Sequence, residues 1–187
     1  MFLQTESTPT PATLKFLPGQ SVLDAGTADF PTPEAGDTSP LARRIFSVEG
    51  TTGVFLGNDF VTVTKTDGTD WDHIKPAILG AIMDHFQSGD PVVEGDGPAQ
   101  SGHADHSGED SQVVEQLKPL LDTRVRPAVA QDGGDITFHG FDQGIVYLHM
   151  QGACAGCPSS TVTLKMGIED QLRPNIPEVL EVRTVAA

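Results

Sequence analysis

Cysteine is scarce in this chain, with two in 187 residues, so the disulfide framework that staples small secreted domains is absent. Basic side chains are also few, 11 against 26 acidic ones, for a formal net charge of −15. A surface of that sign cannot displace counterions from a phosphate backbone, which argues against nucleic acid as a partner. Apolar runs fall well short of the ~20 residues that span a membrane, which argues against a membrane partner too. The first six residues, Met1 to Glu6, lack the basic start and apolar block of a signal peptide and the Arg-rich character of a transit peptide. Together these absences predict a soluble protein of a reducing compartment, cytoplasmic in the bacterial manner. With 20 glycines and 14 prolines, and 37% hydrophobic residues, uninterrupted packed core is limited.

What is present falls into three parts. Residues 1–88 read as a small α+β domain. Short strands at 2–6 and 13–17 are separated by a Pro-containing break at 7–11. Residues 18–38 are rich in turns. Ser39 and Pro40 then open a short helix as cap and first-turn residue. A hairpin pairs 54–56 with 60–64, and Trp71, Ile74, Ile78, Ile82 and Phe86 form the stripe of an amphipathic helix. This part has no cysteine and no acid–base cluster. Residues 89–110 hold five glycines, two prolines and six carboxylates with no aromatic or basic residue, the composition of a flexible linker. His103 and His106 lie within it and read as exposed side chains.

Residues 111–187 predict the order α-β-β-α-β. A helix carries Val113, Val114, Leu117, Leu120, Leu121 and Val125, bent at Pro119 and stopping around Pro127 to Ala130. Asp132-Gly133-Gly134-Asp135 reads as a tight turn. Strands at 136–139 and 145–150 flank a second turn. A helix with Leu164, Ile168 and Leu172 follows, on which Lys165 is expected to face Glu169. A strand at 179–185 closes the chain. The whole is an α+β protein of two small α/β-sandwich domains joined by an acidic linker.

Between the second strand and the last helix stands Gly152-Ala153-Cys154-Ala155-Gly156-Cys157-Pro158-Ser159-Ser160, with both cysteines in C-x-x-C spacing. Pro158 suits a first helical position. Cys157 therefore falls at a helix N-cap, where the dipole favours thiolate. The small neighbours predict two exposed sulfurs that a second body could approach. Metal binding and disulfide chemistry both fit such a pair. A one-chain zinc site needs four ligands, and His149 is the only nearby addition, a strand residue of ordinary surface type. A thiol–disulfide oxidoreductase places C-x-x-C in a parallel βαβ setting early in its domain, whereas here a hairpin precedes the motif. Two buried structural cysteines fit an exposed loop poorly. An iron–sulfur cluster takes four thiolates, which two chains related by a twofold axis can supply.

The cysteine loop, the preceding Asp132 to Asp135 turn and the following helix resemble the C-terminal NifU-like domain of the Nfu iron–sulfur proteins. Phe2 to Thr5, Pro11 to Gly19, Asp29 to Pro33, Ser39 to Ala42 and Phe60 to Lys65 resemble the N-terminal domain of the same family. The resemblance implies an assembly protein, not an enzyme. It implies a [4Fe–4S] cluster held between the two protomers of a homodimer, with Cys154 and Cys157 as ligands, taken from an upstream donor and delivered to apo-proteins. A thiol–disulfide oxidoreductase and a zinc-linked dimer are the alternatives.

Overall fold

A computed structural model describes residues 3–94, 111–155 and 158–185. The chain divides into two compact units, Met1–Gln100 and Ser101–Ala187. Both mix sheet with helix, so the expected α+β class holds.

In the first unit, β1 (Gln4–Ser7) and β2 (Thr13–Leu17) pair antiparallel across the proline-rich turn. β4 (Thr51–Leu56) and β5 (Val61–Lys65) form the expected hairpin, and β5 joins β2. A three-residue strand, β3 (Ala28–Phe30), completes the sheet in the order β1-β2-β5-β4-β3. Sequence reading leaves β3 among turns, because three residues between glycine and proline give too little alternation to see. Helix α1 (Pro40–Phe46) begins as its capping sequence demands: the Ala42 N–H donates to Ser39 Oγ at 3.1 Å. Helix α2 (Trp71–Ser88) ends at Gly89, whose φ of 73° is the left-handed turn that stops a helix. Ile74, Ile78 and Ile82 of α2 meet Leu41 and Ile45 of α1 and Phe16, Phe30, Val61 and Val63 of the sheet in one core.

Residues 89–94, which composition assigns to the linker, pack on this unit. The Glu94 N–H donates to the Thr38 carbonyl at 2.8 Å, and Ser39 Oγ donates to the Val92 carbonyl at 2.5 Å. Val92 and Val93 lie half-buried against the core. The rest of the expected linker, with His103 and His106, lies outside the described residues.

In the second unit, α3 (Ser111–Leu120) runs through a wide π turn (Leu121–Val125) into α4 (Arg126–Gln131). The rod ends at Gln131, one residue beyond the stop expected around Pro127 to Ala130. Pro127 has no N–H to give to the turn before it, and the wider π spacing re-registers the ladder around that gap. Leu117, Leu121, Val125 and Val129 line its inner side. β6 (Gly134–Asp142) and β7 (Ile145–Gly152) form a hairpin closed by Gln143 and Gly144, both at positive φ. Helix α5 (Pro158–Leu172) leads to β8 (Glu181–Val185), which lies parallel to β7. The cysteine loop thus does stand in a parallel β-α-β unit, and that criterion no longer separates this chain from an oxidoreductase. The expected Lys165–Glu169 pair is replaced. Glu169 accepts from Arg173 at 3.1 Å and from the Val182 N–H at 2.9 Å, while Lys165 reaches Glu181 at 3.0 Å. An open donor at the start of a strand competes better for that carboxylate than a half-buried lysine that already reaches Glu181.

Candidate functional site

The β6–β7 hairpin brings its two ends together: Gly134 stands opposite Gly152, and Asp135 opposite Gln151. The acidic glycine turn is thereby the floor on which the cysteine loop folds. Gly152, at φ 66°, turns the chain out of β7. Ala153 then donates its N–H to the Gly133 carbonyl at 3.2 Å, and Ala155 donates to the Gly152 carbonyl at 3.1 Å.

This folding carries Cys154 inward. Its relative exposure is 5%, and its side chain belongs to the core of the second unit with Ile136, Met150 and Ile168. Burial first, then the carboxylates of Asp132 and Asp135, push its thiol up to about 12. The expectation of two open, reactive thiolates is corrected for this residue: Cys154 is buried, in surroundings that favour the thiol. Small neighbours signalled access in the sequence, but the same smallness lets the backbone close tightly and the sulfur sink. Cys157 lies outside the described residues, immediately before the first residue of α5. Pro158 opens that helix, as its missing N–H favours.

Sequence reasoning treats Asp132 to Asp135 only as a turn and gives Arg126 no role. In the fold, Arg126 closes a fork on Asp135, Nε to Oδ1 at 2.8 Å and Nη2 to Oδ2 at 2.6 Å. Asp135 Oδ1 also accepts the Ile136 N–H at 2.8 Å, and Arg126 reaches Asp122 at 3.2 Å. Nine residues separate this cation from its carboxylate, so no helical spacing advertises the pair. The hairpin itself is the one available signal, since its far end must lie beside the cysteine loop. His149 sits half-buried on β7, and burial followed by the nearby His139 lowers its pKa. Among the described residues, no three His, Cys, Asp or Glu side chains gather into a metal-holding group. Among those residues, too, no helix is long and apolar enough to cross a membrane.

Residues 3–89 match the family described as "Scaffold protein Nfu/NifU N terminal", and residues 117–183 match the NifU-like domain. A human protein named NFU1 iron–sulfur cluster scaffold homolog, mitochondrial, is 53% identical over 186 residues, covering 99% of this chain and 72% of its own length. NifU-like protein 4, mitochondrial, of Arabidopsis thaliana is 51% identical over 181 residues, covering 96% of this chain and 64% of its own. A NifU-like protein from Saccharomyces cerevisiae, solved in solution, overlaps 50% of this chain and 84% of its own at 25% identity, with a TM-score of 0.44. A score that low adds nothing to the sequence matches. The chain belongs to the Nfu/NifU family of scaffold proteins. These matches overturn the cytoplasmic expectation, because both full-chain relatives are named mitochondrial. Compartment is set by receptor-read address sequences, and their absence from six residues is not a property of the folded units.

Proposed function

We propose that this chain is an iron–sulfur cluster carrier that holds a [4Fe–4S] cluster between two copies of itself. Cys154 and Cys157 of each copy supply the four thiolates that such a cluster takes. It accepts the cluster from an upstream donor and passes it to apo-proteins. Cluster and chain separate unchanged in identity, so it is a carrier and not an enzyme. The first unit, which brings no ligand cysteine, acts as a recognition module. The observation that carries this reading is a C-x-x-C pair at the β7–α5 junction of a chain in the Nfu/NifU family.

The donor set fits the cargo in kind and number: soft sulfur ligands, two per chain, on a loop between strand and helix. One condition comes with it. Cys154 must leave the core and lose its proton before it can bind iron, since the thiolate and not the thiol is the ligand.

The test is iron and sulfide analysis with mass measurement in solution after anaerobic reconstitution. About four iron and four sulfide per two chains are expected, with broad absorbance near ~400 nm. Cys157→Ser and Cys154→Ser should each abolish stable loading. Cys154→Ser should also cost about 1–3 kcal/mol, because it places a hydroxyl in a core position. A monomer with a full complement of iron and sulfide overturns the shared site. A colourless dimer containing zinc, or a reversible intramolecular disulfide with turnover, overturns the carrier reading.

A further inference from the structure

Gly134 is the first residue of β6, and the sulfur of Cys154 lies where its side chain would be. A Cβ built on Gly134 falls 2.6 Å from Cys154 Sγ, 3.2 Å from Cys154 Cβ and 2.6 Å from the Gln151 carbonyl oxygen. Ordinary contact between such atoms lies near 3.5–4.0 Å, so any larger residue here expels the sulfur or parts the strands. Gly134 is itself held in place. It pairs with Gly152, and its neighbour Asp135 is clamped by the Arg126 fork and the Ile136 N–H. The loop meets this floor through the Ala153 N–H, which donates to the Gly133 carbonyl, and it turns on the Ala155-to-Gly152 hydrogen bond beyond the left-handed Gly152.

We propose that Gly134 is a positioning residue for cluster loading: it seats the Cys154 sulfur inside the cluster-free chain, and loading proceeds by withdrawal of Cys154 from that seat about Gly152. The seat is a property of the cluster-free fold. The part that withdrawal plays in loading rests on the carrier reading above. A seated sulfur with 5% residue exposure cannot touch a cluster shared with a second copy. The loop therefore has two arrangements, one closed on Gly134 and one open to the cargo. Withdrawal parts the Ala153 N–H from the Gly133 carbonyl, while the Arg126–Asp135 clamp lies within the floor, so the floor keeps its shape as the ligand moves.

The experiment uses the full-length, cluster-free chain carrying Cys157→Ser, in which Cys154 is the sole thiol. Its alkylation by iodoacetamide is followed by intact mass, native and in urea at one pH. The native rate should be about 100-fold below the unfolded rate, as local opening of a packed loop would give. Adding Gly134→Ala should raise the native rate about tenfold or more. Arg126→Lys, which keeps the charge but loses the fork, should raise it about threefold, and it keeps the test open if Gly134→Ala fails to fold. With both cysteines present, Gly134→Ala should load iron and sulfide faster at first than the unsubstituted chain. A merely structural defect would slow loading. Native alkylation within about threefold of the unfolded rate overturns the seat, whatever the chain then loads. Protection of Cys154 with no uptake of iron and sulfide by the two-cysteine chain overturns the carrier reading instead, and with it the loading role given to Gly134.

Discussion

Asp135 of the second unit is buried and Asp29 of the first half-buried, and the fold treats the two differently. Asp135 is met by Arg126 through two hydrogen bonds and by a backbone N–H, so its charge is matched on the spot. Asp29 stands opposite Phe55 in the β3–β4 register, and burial alone raises its pKa from 3.8 to about 6. Elsewhere in the first unit, His85 is fully buried with no hydrogen-bond partner for either ring nitrogen, and burial followed by the Arg44 cation lowers its pKa. The second unit thus spends its buried charge on fixing the floor of the cysteine loop. The first carries a half-buried carboxyl and a buried imidazole whose pKa values burial shifts most. One unit should be sensitive to loss of a partner and the other to pH.

The largest effect is expected from Arg126→Ala. Breaking a buried pair by removing one member leaves the other charge uncompensated, which costs about 3–5 kcal/mol. Asp135 is the deeper member, at 5% side-chain exposure against 23% for Arg126, so it keeps most of that cost. The melting transition of the second unit should fall or vanish while that of the first stays in place. A drop of under 1 kcal/mol would mean that Asp135 finds other partners, and the contrast between the units would weaken.

Much of the frame behind this comparison is legible in the sequence. The Ser39–Pro40 cap, the two hairpins and the stripe on α2 rest on local rules, and each appears where those rules put it. What escapes is set by partners distant in the chain. β3 exists because β4 offers it a ladder, not because three residues prefer extension. Residues 89–94 look like linker by composition, but composition does not record that Thr38 and Ser39 have backbone partners waiting. The position of the cysteine pair is readable from spacing and Pro158. The burial of Cys154 is not, because it depends on a glycine twenty residues earlier being brought opposite by the hairpin register.

A smaller effect is expected from Asp29→Asn, and its sign depends on pH. A carboxyl whose folded pKa is raised binds more protons folded than unfolded, so stability falls as pH rises from about 4 to about 6. Each pKa unit is worth about 1.4 kcal/mol, so the full loss is roughly 2–3 kcal/mol above pH 6. Asn carries no charge, and the variant should be more stable than the parent by about 2 kcal/mol at pH 7 and no more stable at pH 4. His85 works the other way: its folded pKa is depressed, so its contribution is lost as pH falls below about 6.5. Urea titrations of the first unit at pH 4, 5, 6 and 7 separate the two slopes. An Asn variant with the same pH profile as the parent would show that Asp29 is not the group responsible.

The smallest effect belongs to the strap that follows α2. Ser39 is fully buried, and its hydroxyl joins two elements at once, accepting from Ala42 N–H and donating to the Val92 carbonyl. Two ion pairs fasten the same segment from outside, Arg44 to Asp90 at 2.8 Å and Arg43 to Glu94 at 3.3 Å. All four of those side chains are more than a third exposed, and pairs of that kind contribute little. The buried hydroxyl should therefore matter more than the two visible salt bridges. Ser39→Ala removes a helix cap and is expected to cost about 1 kcal/mol. It also frees the Val92 carbonyl, so cleavage by a glutamate-specific protease at Glu94 should quicken several-fold. Arg43→Ala should change stability by less than about 0.5 kcal/mol and leave that cleavage nearly unchanged. If Arg43→Ala loosens Glu94 as much as Ser39→Ala does, surface charge holds the strap. The first unit would then rely on paired charges as the second does, and the distinction between them would narrow to Asp29 and His85.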